Sequence, residues 1–353
     1  MPIRSGTIRW YHWIKYFIKT TTNPSSMINL IVQSGLGNQM FQYAFARLLQ
    51  ELYAQEGIRE NIQMISHFID NYIEDSSETR QFALNNLHLS PDTTTMERRK
   101  QPKAMRQFKI RTLLASGIRE CFKWRILKRF KNSDELSRRR AKWGIYFPYG
   151  PYPYMNIHLS KVKDKFVFGF FQHYRYVSAI DSILKKELLV KTPASPANQA
   201  LLSDIENTNA VCLHIRRGDY LNPRWKNLQI CDFNYYNEAI NHILDHTENP
   251  VFYVFSNSHE DLEWIEENYK FHDLSGNGRN INTVFVDLNN PDYEELRLMY
   301  SCKHFIISNS TFSWWGAWLG SAPGKIVIAP QRWNLEFTND TNIYDPSWLR
   351  LPK

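Results

Sequence analysis

From Asn209 to Ala329 the chain alternates between short apolar runs and amphipathic stretches of helical period. The runs Asn209–Ile215, Val251–Ser256, Thr283–Asp287, His304–Ser308 and Lys325–Ala329 read as strands. Between them, Phe233–His246, His259–Asn268, Tyr293–Cys302 and a segment opening near Thr311 read as helices. Strands that are apolar on both faces must be covered on both faces, and parallel neighbours need a long crossover, which the helices supply. A parallel sheet with helices on either side is therefore predicted. In open sheets of this kind ligands sit beyond the carboxyl ends of the strands, where loops enter helices.

The amino-terminal part repeats the theme more loosely. Met27–Gln33 reads as a buried strand ended by the turn residues Ser34, Gly35 and Gly37, and Gln39–Gln55 as a helix with a wide apolar face. Residues 61–89 read as mixed strands and loops, Lys165–Phe170 as another buried strand, and His173–Leu189 as an amphipathic helix. Residues 191–198, with Pro193 and Pro196 among small residues, mark a linker. At 353 residues the chain has room for two domains, here 27–190 and 199–353. Before them, residues 1–26 form an extension. Its Trp10, Trp13, Ile14, Phe17 and Ile18 have the spacing of a helix lying in a membrane interface, or the segment is a disordered tail ahead of Met27.

The formal charge of +8 is local. Residues 97–142, a basic insertion in the first domain, carry 17 Lys or Arg against 4 Asp or Glu, which leaves the rest of the molecule at −5. The rival to an enzyme is a basic nucleic-acid- or membrane-binding protein, whose binding would reside in that segment alone and fall steeply with salt. No nucleic-acid partner is expected; the segment could instead hold the protein at anionic lipid, each basic residue adding about 1 kcal/mol. Four cysteines (Cys121, Cys212, Cys231, Cys302) show no metal-ligand spacing, so neither a disulfide scaffold nor a zinc site is expected. There is no apolar run of membrane-spanning length and no secretion signal, and the expected location is the cytoplasm, with peripheral contact on the inner face of the membrane.

Three clusters fall at strand ends. The first, His214-Ile215-Arg216-Arg217-Gly218-Asp219-Tyr220, places two guanidinium forks where they could clamp a diphosphate through paired charge-assisted bonds. The second, Ser308-Asn309-Ser310-Thr311-Phe312-Ser313, puts four hydroxyls at the head of a helix, where free N–H groups and the helix dipole favour an anion. The following Trp314-Trp315-Gly316-Ala317-Trp318 reads as core and sheet packing. The third is the turn Ser34-Gly35-Leu36-Gly37-Asn38-Gln39, whose glycines would let the backbone approach a substrate. No Asp-x-Asp metal holder and no phosphate-binding loop of the kinase type occur, so the arginines would neutralise a leaving diphosphate without a metal.

Taken in order, GLGNQMFQYAFARLL from Gly35, HIRRGDY from His214 and CKHFIISNSTFSWWGAWL from Cys302 resemble the signature of the α-1,2-fucosyltransferases of glycosyltransferase family eleven, in particular its bacterial members. The resemblance runs from about Met27 to Pro330. It implies a GT-B type α/β fold, two Rossmann-like domains facing a cleft, with no cofactor and no metal. It further implies GDP-β-L-fucose as donor, inversion at the anomeric carbon, and transfer to the 2-hydroxyl of a terminal β-galactoside on an oligosaccharide or surface glycan that a polyprenyl carrier could present. His214 would contact the nucleoside, Arg216 the diphosphate, and Arg217 either the loop or the β-phosphate. Ser310, Thr311, Phe312 and Ser313 would hold phosphates and nucleoside, and Asn38 would reach toward the fucose. The family usually has Asp where this chain has Glu295; a carboxylate there could accept the N1 and N2 protons of guanine. Asp219 is the nearest candidate for a general base, or else it braces Arg216 or Arg217 and the departing phosphate takes the proton. Within the enzyme class the alternatives are another fucosyl linkage or another GDP-sugar.

Overall fold

The computed structural model describes residues 26–70, 81–116, 133–148, 150, 152–269, 281–338 and 340–352. The expected amino-terminal extension, apart from its last residue, and residues 117–132 of the basic segment lie outside these. The first half contains β1 (Ser26–Ile31), α1 (Leu36–Gln55), β2 (Glu60–Ile65), α2 (His67–Asp70), β3 (Thr93–Thr95), α3 (Gln101–Ser116), α4 (Ser133–Lys142), β4 (Ile145–Tyr146), β5 (Asp164–Val167), α5 (Tyr174–Ser178) and α6 (Asp181–Glu187). The second contains α7 (Pro196–Asn207), β6 (Asn209–His214), α8 (Phe233–His246), β7 (Pro250–Phe255), α9 (His259–Tyr269), β8 (Asn282–Phe285), α10 (Asp292–Ser301), β9 (His304–Ile306), α11 (Thr311–Leu319), β10 (Val327–Pro330) and β11 (Leu349–Leu351).

The strands form two parallel sheets, ordered β3-β2-β1-β5-β4 and β11-β10-β9-β6-β7-β8. In each sheet the chain first moves outward on one side of its first strand and later returns on the other. The order therefore reverses between β1 and β5 in the first sheet and between β6 and β9 in the second. A reversal leaves two neighbouring loops to diverge above opposite faces, which opens a crevice at the carboxyl ends of that strand pair. This is the two-domain GT-B arrangement expected from the sequence.

Alternation along β1 builds both layers of the first domain. Ile28 and Leu30 are buried with Met40, Phe41 and Phe45 of α1, whereas Ile31 is buried with Ile65, Phe166, and Ala104, Met105 and Phe108 of α3. The basic segment thus contributes to the core through one face of α3. The expected helix over 173–189 is two helices, because Ile180 leaves helical geometry (φ −132°, ψ 34°) and turns its side chain into the core. The edge strands β3, β4 and β11, of two or three residues each, were not expected.

The tryptophans after Thr311 are core residues, as expected, with Trp314 stacked on Trp318 at 5.0 Å in their own domain. That core also takes in the other domain. Phe41 of α1 lies 4.7 Å from the Trp314 ring and 4.9 Å from that of Trp315, and the Trp315 indole donates a 2.9 Å hydrogen bond to the Gly37 carbonyl. One apolar core therefore runs from α1 into α11 and joins the domains.

Candidate active site

His214 ends β6, and Ser308 stands just past β9. Their Nδ1 and Oγ atoms are 2.8 Å apart, so this contact spans the reversal in the second sheet. Both residues are buried. Burial first, and the charge of Arg216 second, push the imidazole down to about 3, so His214 is neutral at working pH. Arg216 is half-buried, its guanidinium 5.3 Å from the centre of the Tyr220 ring, and the Tyr220 hydroxyl donates to the Asn309 carbonyl at 3.0 Å. The loops after β6 and β9 are thereby tied together.

The expected pair of arginines divides. Arg217 turns to α9, where its Nε is 3.2 Å from Asp261 and its guanidinium lies 3.3 Å from the centre of the Trp264 ring. Asp261 also accepts from the Gly218 amide at 3.0 Å, and Asn257 accepts from the Arg217 amide at 3.3 Å. Gly218 has φ +36°, and a Cβ there would meet the Asn257 side chain at 2.7 Å, so glycine is required twice over. Arg217 thus braces the loop, and the carboxylate that holds it is Asp261, which the sequence did not point to. Asp219 sits in the single turn Gly218–Leu221; its side chain lies outside those described.

The hydroxyl cluster also divides. Ser308 faces His214, Ser313 is fully buried and donates to the Ser310 carbonyl at 3.3 Å, and Ser310 caps α11, its Oγ accepting from the Phe312 amide at 3.4 Å. Thr311 is half-buried, its hydroxyl lying against the backbone of Gly37. The Phe312 ring stands edge-on to His214 at 6.5 Å. Asn309 is structural: its amide donates to the Leu228 and Trp333 carbonyls at 2.9 and 3.0 Å.

The glycine turn meets this helix head directly. A Cβ on Gly37 would lie 2.6 Å from the Phe312 nitrogen and 2.6 Å from the Thr311 carbonyl carbon. Its missing side chain thus makes room for the opposite domain, where the sequence suggested room for substrate. Gly35 opens α1 in ordinary extended geometry, and the left-handed residue of the turn is Ser34, at φ 68°. The Asn38 amide donates to Ser34 Oγ at 2.9 Å, and its Oδ1 accepts from the Gln172 amide at 2.6 Å. Gln172 follows β5, so this contact spans the reversal in the first sheet. Neither Gln172 nor its neighbour His173, buried and pushed down to about 4 by burial and Arg175, was singled out in the sequence. Glu295 lies in the first turn of α10, partly buried; burial and the charges of Asp292 and Asp287 push its carboxyl up to about 8.

The three sequence blocks, far apart in the chain, thus come together at the head of α11. A family profile described as Glycosyl transferase family 11 matches residues 27–351. The chain is 30% identical to the O-antigen biosynthesis glycosyltransferase WbnK of Escherichia coli over 91% of its own length and 99% of that protein. It is 35% identical to an Escherichia coli alpha-1,2-colitosyltransferase over 52% of this chain and 62% of that protein. Human galactoside alpha-(1,2)-fucosyltransferase 1 is 31% identical over 40% of this chain and 37% of that protein, so the chain spans less than two thirds of these last two relatives. Among solved structures, the alpha-1,6-fucosyltransferase NodZ soaked with GDP-fucose gives a TM-score of 0.48 at 10% identity, covering 86% of this chain and 95% of that one. With the profile spanning both domains, the chain belongs to glycosyl transferase family 11.

Proposed function

We propose that this chain transfers L-fucose from GDP-β-L-fucose to the 2-hydroxyl of a terminal β-galactoside, with inversion at the anomeric carbon and without a metal. The observation that carries this is the meeting of Gly37, His214 and Thr311–Phe312 at the β6/β9 crevice, beside Arg216. In this reading Arg216, the Thr311 hydroxyl and the first amides of α11 neutralise the diphosphate as it leaves, a task for preset positive dipoles where charge develops. Neutral His214 and the Phe312 ring flank the nucleoside. Glu295 accepts the guanine N1 and N2 protons, for which it must first ionise. Arg217 acts through the loop it braces. Asp219 is the proposed base for the acceptor hydroxyl, while Asn38 meets the fucose from the other domain. The two sequence relatives that are named for a linkage, the colitosyltransferase and the human fucosyltransferase, carry α-1,2, which supports the same bond here. A second reading, another GDP-linked sugar as donor, is favoured by the similarity to the colitosyltransferase.

The name of WbnK supports a surface-glycan acceptor, which a polyprenyl carrier would present at the membrane. No helix among the described residues is long and apolar enough to cross a membrane. The outward face of α3 nonetheless carries exposed Lys103, Arg106 and Lys109 followed by exposed Ile110, Leu113 and Leu114, with exposed Lys142 and Trp143 at the end of α4. Basic and apolar side chains on one face suit peripheral contact with anionic lipid.

The direct test is incubation with GDP-fucose and lactose or N-acetyllactosamine in EDTA, with linkage analysis of the product. The expected product is fucosylated at the 2-hydroxyl of galactose. Strict dependence on an added metal, or turnover of a different GDP-sugar only, would overturn the respective part of the reading.

A further inference from the structure

We propose that Gln172 positions the acceptor sugar, its side-chain carbonyl oxygen receiving an acceptor hydroxyl at the β1/β5 crevice. The inference rests on the fucosyl-transfer reading above and adds the residue that reads the second substrate. Crevices at strand-order reversals are where open parallel sheets hold ligands, and the roles assigned so far leave this one with Asn38 alone. Gln172 is 7% exposed and uses one amide hydrogen on Asn38. Its Oε1 accepts from no described residue, yet it is not among the unpartnered polar atoms sealed from solvent. A carbonyl oxygen that reaches solvent with both lone pairs unused by the protein is open to a hydrogen-bond donor from a ligand. A sugar hydroxyl is such a donor; a diphosphate is not.

The oxygen is also held in place. Both loops of the crevice contain a residue in left-handed geometry, Ser34 at φ 68° and Phe171 at φ 53°, a local strain that persists only where the surroundings fix it. The Phe171 ring stacks on Phe45 of α1 at 3.9 Å, which anchors the loop immediately before Gln172. Asn38, held by Ser34 from one side and Gln172 from the other, adjoins Gly37, which touches the head of α11. Gln172 therefore stands one side chain farther from the nucleotide crevice than Asn38.

The test compares full-length wild type, Gln172→Met and Gln172→Glu in three assays: GDP binding by calorimetry, GDP-fucose hydrolysis without acceptor, and transfer to N-acetyllactosamine. Gln172→Met is expected to raise acceptor KM about tenfold or more with GDP affinity within about twofold, any loss in kcat or hydrolysis through Asn38 being several-fold smaller. Gln172→Glu keeps an accepting oxygen, and Asn38 can turn its amide toward it while Ser34 donates to the freed Oδ1, so acceptor KM should return to within about threefold of wild type. An unchanged acceptor KM in Gln172→Met overturns the inference. So does an equal loss of GDP binding and hydrolysis, which marks a donor-side or purely structural role. A wild type that neither binds GDP nor hydrolyses GDP-fucose overturns the fucosyl-transfer reading, and this inference with it.

Discussion

The two crevices of the molecule have the same topological origin and opposite chemistry. Each lies where strand order reverses, and each is spanned by a side-chain pair, His214 with Ser308 in the second domain and Gln172 with Asn38 in the first. The second-domain contact is sealed, its imidazole kept neutral by burial, and the cation Arg216 stands beside it. The first-domain contact is built of amides that keep unused donors and acceptors. Neutral, directional groups read hydroxyls, whereas fixed positive charge and helix amides stabilise a departing anion. The difference teaches that the fold supplies the place and the side chains decide its chemistry, which on the proposed reading divides donor from acceptor.

The sharpest way to break this division is Arg216→Ala. It should lower kcat by about a thousandfold, worth about 4 kcal/mol, with little change in thermal unfolding, because the group acts on developing charge. If the variant chiefly raised acceptor KM, the charge-handling role would belong to the other crevice. A smaller effect is expected from Asp261→Ala, which leaves Arg217 without its carboxylate and the Gly218 amide without an acceptor. Loosening that loop should weaken GDP binding about tenfold while acceptor KM stays put; equal changes in both would erase the contrast.

Glu295 gives a third, graded test. Its carboxyl is pushed up to about 8 in the folded protein from an ordinary value of 4.5, so the folded state holds a proton that the unfolded chain releases within that window. The stability this contributes is whole below the lower value and is lost as pH rises toward the upper one. GDP binding should release the proton and tighten as pH rises from 6 to 8, by up to about fiftyfold. Calorimetry in buffers of different ionisation enthalpy reads the release directly, and Glu295→Gln should abolish it. Smallest of all, Leu113→Asp with Leu114→Asp should leave turnover of soluble acceptors within about twofold but reduce retention on phosphatidylglycerol vesicles.

How much of this was legible follows from the range of each signal. Buried parallel strands announce themselves as apolar runs, so β1, β6, β7, β9 and β10 were readable within a residue or three; β3, β4 and β11 are too short and too polar to carry a period. His214, Arg216 and the Thr311 helix head were visible because each sits in a dense local cluster at a strand end. Which arginine braces the loop was not, since Asp261 and Trp264 reach Arg217 from the loop and helix after β7, and only strand order reveals that β7 adjoins β6. The hydroxyl cluster looked like one cradle because hydrogen bonds to Ser310 and His214 leave no trace in spacing. Gln172 gave no signal at all: it is one polar residue in Phe170-Phe171-Gln172-His173, meaningful only once β5 is known to lie beside β1.

The contact between Gly37 and the start of α11 sets a rule for variation. The nearest obstacles to a side chain at position 37 include main-chain atoms of Thr311 and Phe312, and no exchange of residue at those positions moves a main-chain atom out of the way. Partner substitutions that rescue a crowded side-chain pair are therefore closed to this pair of sites. A library that randomises position 37 together with 311 and 312, selected for an active enzyme, should return glycine at the first whatever it returns at the other two.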